Sequence, residues 1–358
     1  MIIGIDASRA FVKNKTGIEE YSYQTIKHLR KYLKNEQVIL YTRPGGNEQV
    51  DFTMPKNWQV RVLSWRYMWT QIALSLELFL RPVDVLFVPA HTLPFIHPIN
   101  SVVTIHGLEY EFSPESYSFY SRLFHRFFIK KSCKWASKII TVSDKTKQDL
   151  HEMYNVPSKK MTTIPNGFVR SKASDKRQAR RRASYLFFIG RLEERKNIIG
   201  IIKAFEILKE KYDYNGELLL GGEPGYGYDK IKKVIDNSKF KSNIDQVGFL
   251  TEDEKWSLLD DADIFMFPSH SEGFGIPILE AQSMETPVIT SDKSPMKEIV
   301  DDKRSLVDPD NPAQIAKVAN KILQDKKLQE SIIKHGLQNT GKYSWQKTAK
   351  KIAEMLMV

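Results

Sequence analysis

Only one of the 358 residues is a cysteine, Cys133, so no internal disulfide can form. Such usage suits a reducing compartment. No apolar run approaches the ~18 residues of a bilayer-spanning helix. The longest candidate, 71–80, is interrupted by Glu77. The opening stretch from Met1 to Asp6 reads as a short buried strand. It has no basic region, long apolar core or small-residue cleavage site, so no signal peptide is expected. Metal-ligand spacing is missing around His91, His97, His125 and His270, and Cys133 has no partner set. Ser143 and Ser269 lack the histidine and carboxylate context of a hydrolase nucleophile. No nucleic-acid motif, internal repeat or low-complexity tract stands out. These absences point to a cytoplasmic protein that works without a metal or cofactor and without nucleic acid.

An apolar share of 41% is ordinary for a globular protein, and the length suits two domains. The net charge of +11 favours anionic partners. That charge is unevenly placed: residues 116–143 hold six basic side chains and no acidic one, and 170–182 hold seven against Asp175. Short apolar runs alternate with longer helical patterns, which predicts βαβ units and parallel sheets. Strands are expected at 2–5, 38–41, 59–63, 85–88, 101–105, 138–142, 185–189, 217–220, 244–247, 264–267 and 287–290. Helices are expected at 17–33, 145–153, 198–211, 225–236, 251–259, 277–284, 313–324 and 345–356. The polar, basic stretch after the turn signal Pro165-Asn166-Gly167 reads as a linker. The predicted plan is α/β: a Rossmann-like domain at 1–169, a basic linker at 170–183, a second Rossmann-like domain at 184–342, and a helix at 343–358 packing back on the first domain.

Segment 267–280 is the richest in chemistry. A strand ends at Phe267, a loop follows, and a helix begins near Pro277, where a missing N–H costs nothing. Gly273 and Gly275, flanking Phe274, allow close backbone approach to a ligand. The helix start offers free N–H groups and partial positive charge to an anion such as a diphosphate. Glu272 and Glu280 make sense beside an anion only with separate tasks. One can accept bonds from ribose hydroxyls, and the other can face a sugar where positive charge develops. An ordinary strand–loop–helix turn stays open at this point. Arg191 and Lys196 follow the strand 185–189, and ligands in open α/β sheets bind beyond strand carboxyl ends. Fixed cations there could neutralise a departing nucleoside diphosphate without a metal. Arg195, Glu193 and Glu194 are expected to form a solvated charged loop.

Arg191 with Lys196, then Phe267-Pro268-Ser269, and Glu272 with Glu280 resemble the retaining GT-B glycosyltransferases of family 4. Matches continue in order along nearly the whole chain. They include Thr16-Gly17-Ile18 with Tyr21, Thr104-Ile105-His106, Thr141-Val142-Ser143, Ile164-Pro165-Asn166-Gly167, Gly221-Gly222, Val247-Gly248-Phe249, Asp261-Ala262-Asp263, Thr286-Pro287-Val288 and Leu306-Val307-Asp308-Pro309. The resemblance implies two parallel-sheet domains facing across a cleft, with acceptor on the first and nucleotide-sugar donor on the second. Arg191 and Lys196 would hold the donor diphosphate, with Gly17, Gly273, Phe274 and Gly275 lining its site. Glu280 would bind the ribose, Glu272 would serve the donor sugar or its transition state, and His106 would project toward that sugar. The implied reaction moves a hexose or deoxyhexose, with retention, to a hydroxyl of a glycan or polyprenyl-diphosphate-linked acceptor. Bacterial mannosyl-, glucosyl- and rhamnosyltransferases of polysaccharide assembly are the similar subgroup. A 2-epimerase of related fold and a silent partner subunit are the alternatives. The chain departs from the family pattern at Gly107-Leu108-Glu109, where Asp is common, at Glu20, and at Met284-Glu285, where a small residue and Gly are common.

Two further features have plainer readings. Asp261 and Asp263 precede a strand rather than follow one, so a structural role is expected instead of a shared metal. The glycines at 221–227 do not spell a dinucleotide fingerprint. Arg122, Arg126, Lys130, Lys134 and Lys138 recur every four residues among Phe119, Tyr120, Phe124, Phe127, Phe128 and Trp135. On a helix they form a basic-aromatic stripe suited to an anionic membrane, which would place the protein peripherally on the inner membrane face. An amphipathic helix with its aromatics in the core fits equally. The stretch 65–69, rich in Trp and Tyr, is a weaker contributor.

Overall fold

The computed structural model describes residues 1–13, 15–65, 67–170 and 184–357. It forms two compact units, Met1–Gly167 with Tyr343–Val358, and Phe168–Lys342. Apart from Arg170, the basic linker lies outside the described residues, as does Arg66 of the stretch 65–69.

Unit 1 carries a seven-stranded sheet in the order β3-β2-β1-β4-β5-β6-β7, paired in parallel throughout. Its elements are β1 (Ile2–Asp6), α1 (Gly17–Leu29), β2 (Gln37–Thr42), β3 (Trp58–Val62), α2 (Ser75–Leu80), β4 (Val85–Val88), β5 (Asn100–Ile105), α3 (Glu109–Phe112), α4 (Phe119–Trp135), β6 (Lys138–Thr141), α5 (Asp144–Tyr154) and β7 (Met161–Thr163). Right-handed crossovers fix which face each helix covers. The connections β3 to β4, β5 to β6 and β6 to β7 all run in one direction across the sheet, which puts α2, α4 and α5 on the same face. Leu74, Leu78, Ile129, Cys133 and Leu150 accordingly share one buried cluster with β4, β5 and β6. The connection β1 to β2 runs the other way, so α1 covers the opposite face.

Unit 2 carries a six-stranded parallel sheet, β10-β9-β8-β11-β12-β13. In chain order it contains β8 (Tyr185–Ile189), α6 (Ile198–Tyr212), β9 (Glu217–Gly221), α7 (Tyr228–Asn237), β10 (Ile244–Gly248), α8 (Glu252–Asp261), β11 (Ile264–Phe267), α9 (Ile276–Ser283), β12 (Val288–Ser291), α10 (Met296–Val300), β13 (Leu306–Val307), α11 (Pro312–Gln324) and α12 (Lys326–Thr340). Strand order reverses at β8, flanked by β9 and β11. Phe187, Phe188, Phe265 and Phe267 pack along these central strands, fully buried.

The chain ends in α13 (Trp345–Leu356), which belongs to unit 1 and packs on α1. Trp345 is buried with its ring 5.8 Å from Tyr21, and Thr348 Oγ1 donates to Pro165 O at 2.8 Å. Gly167 admits this docking: a Cβ there would stand 2.1 Å from the Trp345 backbone nitrogen.

Three expectations need correction. α2, α3, α10, α12, β7 and β13 were not among the expected elements: all but α12 are too short for their periodicity to show, and α12 is too polar. The basic stripe on α4 is incomplete. Lys138 lies in β6 and donates to Met355 O at 3.1 Å, while Arg126, bonded to the Glu111 carboxylate, has a partner that is almost fully buried. Phe128 faces the core, and so does Trp69, whose indole N–H donates to Leu63 O at 2.9 Å.

Candidate functional site

Strand order reverses at β8, and sheets of this kind bind ligands outside the carboxyl ends of the strands at that point, here β8 and β11. Residues 190–196 leave β8 and residues 268–275 leave β11. Asn197 fastens the two loops together. It holds a left-handed backbone (φ 59°) as the N-cap of α6, and its Oδ1 accepts from Gly200 N at 3.2 Å. Its Nδ2 donates to Pro268 O at 3.1 Å and to Pro309 O at 2.6 Å, which ties in the loop after β13.

Lys196 and Glu272 meet across this junction. The ammonium donates to both carboxylate oxygens, at 2.5 and 2.7 Å, and stands 5.3 Å from the Phe267 ring centroid. Burial works against both charges. It pulls Lys196 below the ordinary lysine value although Glu272 opposes the shift. On Glu272 burial pushes upward, and the Lys196 and Arg195 cations outweigh it, leaving the carboxyl below its ordinary value. Glu272 is therefore ionised at neutral pH.

Arg195, expected in a solvated loop, instead joins the network. It donates to Ser271 O at 3.2 Å and to Glu272 at 3.3 Å, and pairs with buried Glu193 at 2.7 Å. Glu194 turns away to Lys230 at 2.7 Å. The short turn at 194–196 aims Arg195 and Lys196 together at Glu272 and leaves Glu194 to Lys230, a detail that charge counting does not resolve.

Gly275 (φ 118°) caps α9 in a conformation that favours glycine, and Pro277 sits in the first turn. The helix thus starts shortly after Glu272 in the chain, its positive dipole end formed where Pro277 lacks an N–H and Ile278 N donates to Gly275 O at 3.1 Å, and Phe274 is buried. Glu280, one turn in, is held by Lys255 of α8 at 2.9 Å, and both side chains are largely buried. Burial would lower Lys255, but Glu280 and Glu252 hold it above the ordinary lysine value. Lys255 was missed because nothing local distinguishes it from other helix-surface lysines. Arg191 is exposed, and its aliphatic stem occupies the space beside Gly225, where a Cβ would lie 2.6 Å from Arg191 Cγ. Lys196 and Glu272 are in contact, then, while Glu280 has its own cation and Arg191 lies at the solvent side of the same loop.

In unit 1, His106 follows β5 and is buried. Its Nε2–H donates to Pro89 O at 2.8 Å, which leaves the lone pair on Nδ1 in the neutral ring. Tyr21 meets the ring edge-on at 4.5 Å and His91 at 5.2 Å. Burial lowers its pKa to about 4, so the ring is neutral at physiological pH. Gly17 opens α1 on the surface, with no atom within 4 Å of where a Cβ would stand. Asp263 serves structure: its carboxylate accepts from the Tyr214 hydroxyl at 3.1 Å and from Ser184.

Two family models match. Residues 15–171 fit Glycosyltransferase Family 4, and residues 169–339 fit Glycosyl transferases group 1. The O-antigen chain mannosyltransferase B of Escherichia coli is 27% identical over 227 residues, 61% of this chain and 60% of that protein. The O-antigen chain mannosyltransferase RfbU of Salmonella typhimurium is 28% identical over 315 residues, 84% of this chain and 85% of that one. The chain therefore spans less than two thirds of the first relative's length. Among solved structures, sucrose-phosphate synthase from Thermosynechococcus elongatus superposes with a TM-score of 0.75 at 18% identity, covering 99% of this chain and 98% of that one. Anabaena HepE in complex with UDP-glucose does so with a TM-score of 0.74 at 16% identity, covering 99% of each chain. At these identities the likeness is one of fold, the two-sheet GT-B architecture. The two models together run from residue 15 to residue 339, and the chain belongs to the group 1 glycosyltransferases of family 4.

Proposed function

We propose that the protein transfers a hexosyl or deoxyhexosyl unit, with retention and without a metal, from a nucleoside-diphosphate sugar to an acceptor hydroxyl in polysaccharide assembly. The buried Lys196–Glu272 pair at the strand-order reversal of unit 2 carries the reading. A stable buried pair of this kind is costly to build, because each ion loses its water. A ligand that offers a diphosphate to Lys196 and a sugar to Glu272 gives the cost a purpose. The relatives that are O-antigen mannosyltransferases and the fold neighbour that binds UDP-glucose support the substrate class.

In this reading Lys196, Arg191 and the α9 N-terminus neutralise charge on the leaving diphosphate, the task a metal performs elsewhere. Glu272 keeps a negative charge where the sugar becomes oxocarbenium-like. Glu280, oriented by Lys255, accepts from the ribose hydroxyls. Acceptor recognition is assigned to unit 1. The acceptor attacks from the face the diphosphate leaves, the C–O bond to phosphate breaks as the new one forms, and the diphosphate takes the acceptor proton.

Thermal-shift and hydrolysis screens against UDP-, GDP- and dTDP-sugars identify the donor, and activity is expected to persist in EDTA. Glu272→Gln preserves shape and is expected to cut turnover by roughly two orders of magnitude while donor binding survives. Normal turnover in that variant would remove Glu272 from the mechanism. Anomeric analysis of the product by NMR separates retention from inversion.

A further inference from the structure

We propose that unit 1 docks on an anionic lipid bilayer through a continuous surface made of α2, the loop 93–99 and α4, wider than the basic stripe on α4 alone. The α2 region carries apolar side chains on both faces: Leu74 and Leu78 join the core, and a second set faces outward. Gln71, Ser75 and Glu77 point inward and are buried, whereas Ile72, Leu76, Phe79 and Leu80 point outward. Each inward side chain is tied down: Gln71 Nε2 donates to Leu93 O at 3.1 Å, Ser75 Oγ accepts from Ile96 N at 3.2 Å, and Glu77 binds Arg61 and Arg81. The outward residues recur at helical spacing, and Leu76 and Phe79 are 55% and 66% exposed.

The loop 93–99 joins this face to α4. Leu93 N donates to Ser132 Oγ of α4 at 2.8 Å, and the half-exposed Phe95 ring lies 5.8 Å from Phe128 and 6.0 Å from Trp135. Because α2 and α4 cover the same sheet face, their outer surfaces point the same way. On α4, Leu123 and Phe127 stand exposed among Lys130, Lys131 and Lys134, with the Lys131 ammonium 5.6 Å from the Phe127 ring centroid. No acidic residue occurs between 116 and 143. Apolar and aromatic side chains interleaved with unopposed lysines match an interface of acyl chains below anionic headgroups. No helix among the described residues is long and apolar enough to cross a membrane, so the contact is peripheral. A water-facing role would leave this apolar area uncovered, which soluble surfaces avoid beyond a few hundred Å².

The test uses the full chain with phosphatidylcholine vesicles prepared with and without phosphatidylglycerol. Wild type is expected to co-sediment with the phosphatidylglycerol vesicles and weakly with the neutral ones. Leu76→Ser with Phe79→Ser is expected to lower that binding about tenfold, and Lys130→Gln with Lys134→Gln to lower it similarly and remove its salt dependence. All these positions are exposed, so circular dichroism and donor binding by thermal shift should be unchanged. Wild type that ignores anionic vesicles, or a Leu76/Phe79 variant that binds them like wild type, overturns the proposal. So does a dimer in light scattering that the Leu76/Phe79 variant dissolves, since a second copy would then cover the face. Vesicle binding is read without turnover, so its loss with donor binding intact counts against this inference and leaves the transferase reading standing.

Discussion

Lys255 gives Glu280 its orientation, and the two charges sit close enough, at 2.9 Å, for one to fix the other. Replacing Lys255 with Met removes the cation that meets Glu280 at 2.9 Å, so the carboxylate loses that anchor and its orientation loosens. The expected outcome is a donor KM raised roughly tenfold with kcat nearly unchanged, and recovery in Lys255→Arg. A merely structural lysine would lower the yield of folded protein and leave KM alone.

His106 supplies a second residue-scale test. Its pKa falls from the ordinary 6.5 to about 4 because burial disfavours the charged ring. Below the unfolded value the unfolded chain binds a proton that the native ring refuses, so stability is fully present above pH 6.5 and is lost as pH falls toward 4. The loss is of order 3 kcal/mol for this ring. Urea titrations of wild type and His106→Asn across that window should show the variant less sensitive to acid. Equal slopes would mean the ring titrates normally in the native state.

At the scale of elements, helix ends and tight turns decide how the sheets are decorated. Asn197 caps α6 and ties three loops through its amide, and its loss in Asn197→Ala strands buried carbonyls of Pro268 and Pro309. A cost of about 2–4 kcal/mol in unit 2 stability is expected, measured by denaturant unfolding. Glu285 holds a left-handed backbone (φ 63°) just past α9, where the family commonly has glycine. Glu285→Gly is expected to raise stability by about 0.5–1 kcal/mol in the same measurement, because a side chain strains that conformation. No change or a loss would show that the Glu285 side chain repays its strain.

For the whole molecule, chain order and unit membership part company. α13 is last in sequence and belongs to the first unit, through Trp345 on Tyr21, Thr348 on Pro165 and Met355 on Lys138. Removing residues 343–358 uncovers the α1 surface and is expected to destabilise unit 1 while the unfolding of unit 2 in the same chain stays as before. Gly167→Ala tests the same docking with one atom, since a Cβ has no room against Trp345. Tryptophan fluorescence during unfolding reports both changes.

The sequence alone determined the α/β alternation, nearly every strand, the proline in the first turn of α9, and the loops that hold Lys196 and Glu272. Those features are local: a run of apolar residues, a proline in a first turn, a glycine before a helix. Tertiary structure alone decided the partners. Sequence spacing could not pair Lys196 with Glu272, bring Lys255 to Glu280, draw Arg195 out of solvent, or turn Leu76 and Leu80 of α2 outward. Each outcome depends on which strands neighbour which and on the direction of the crossovers. The free energy of a buried charge is set by the atoms around it, and those come from distant parts of the chain.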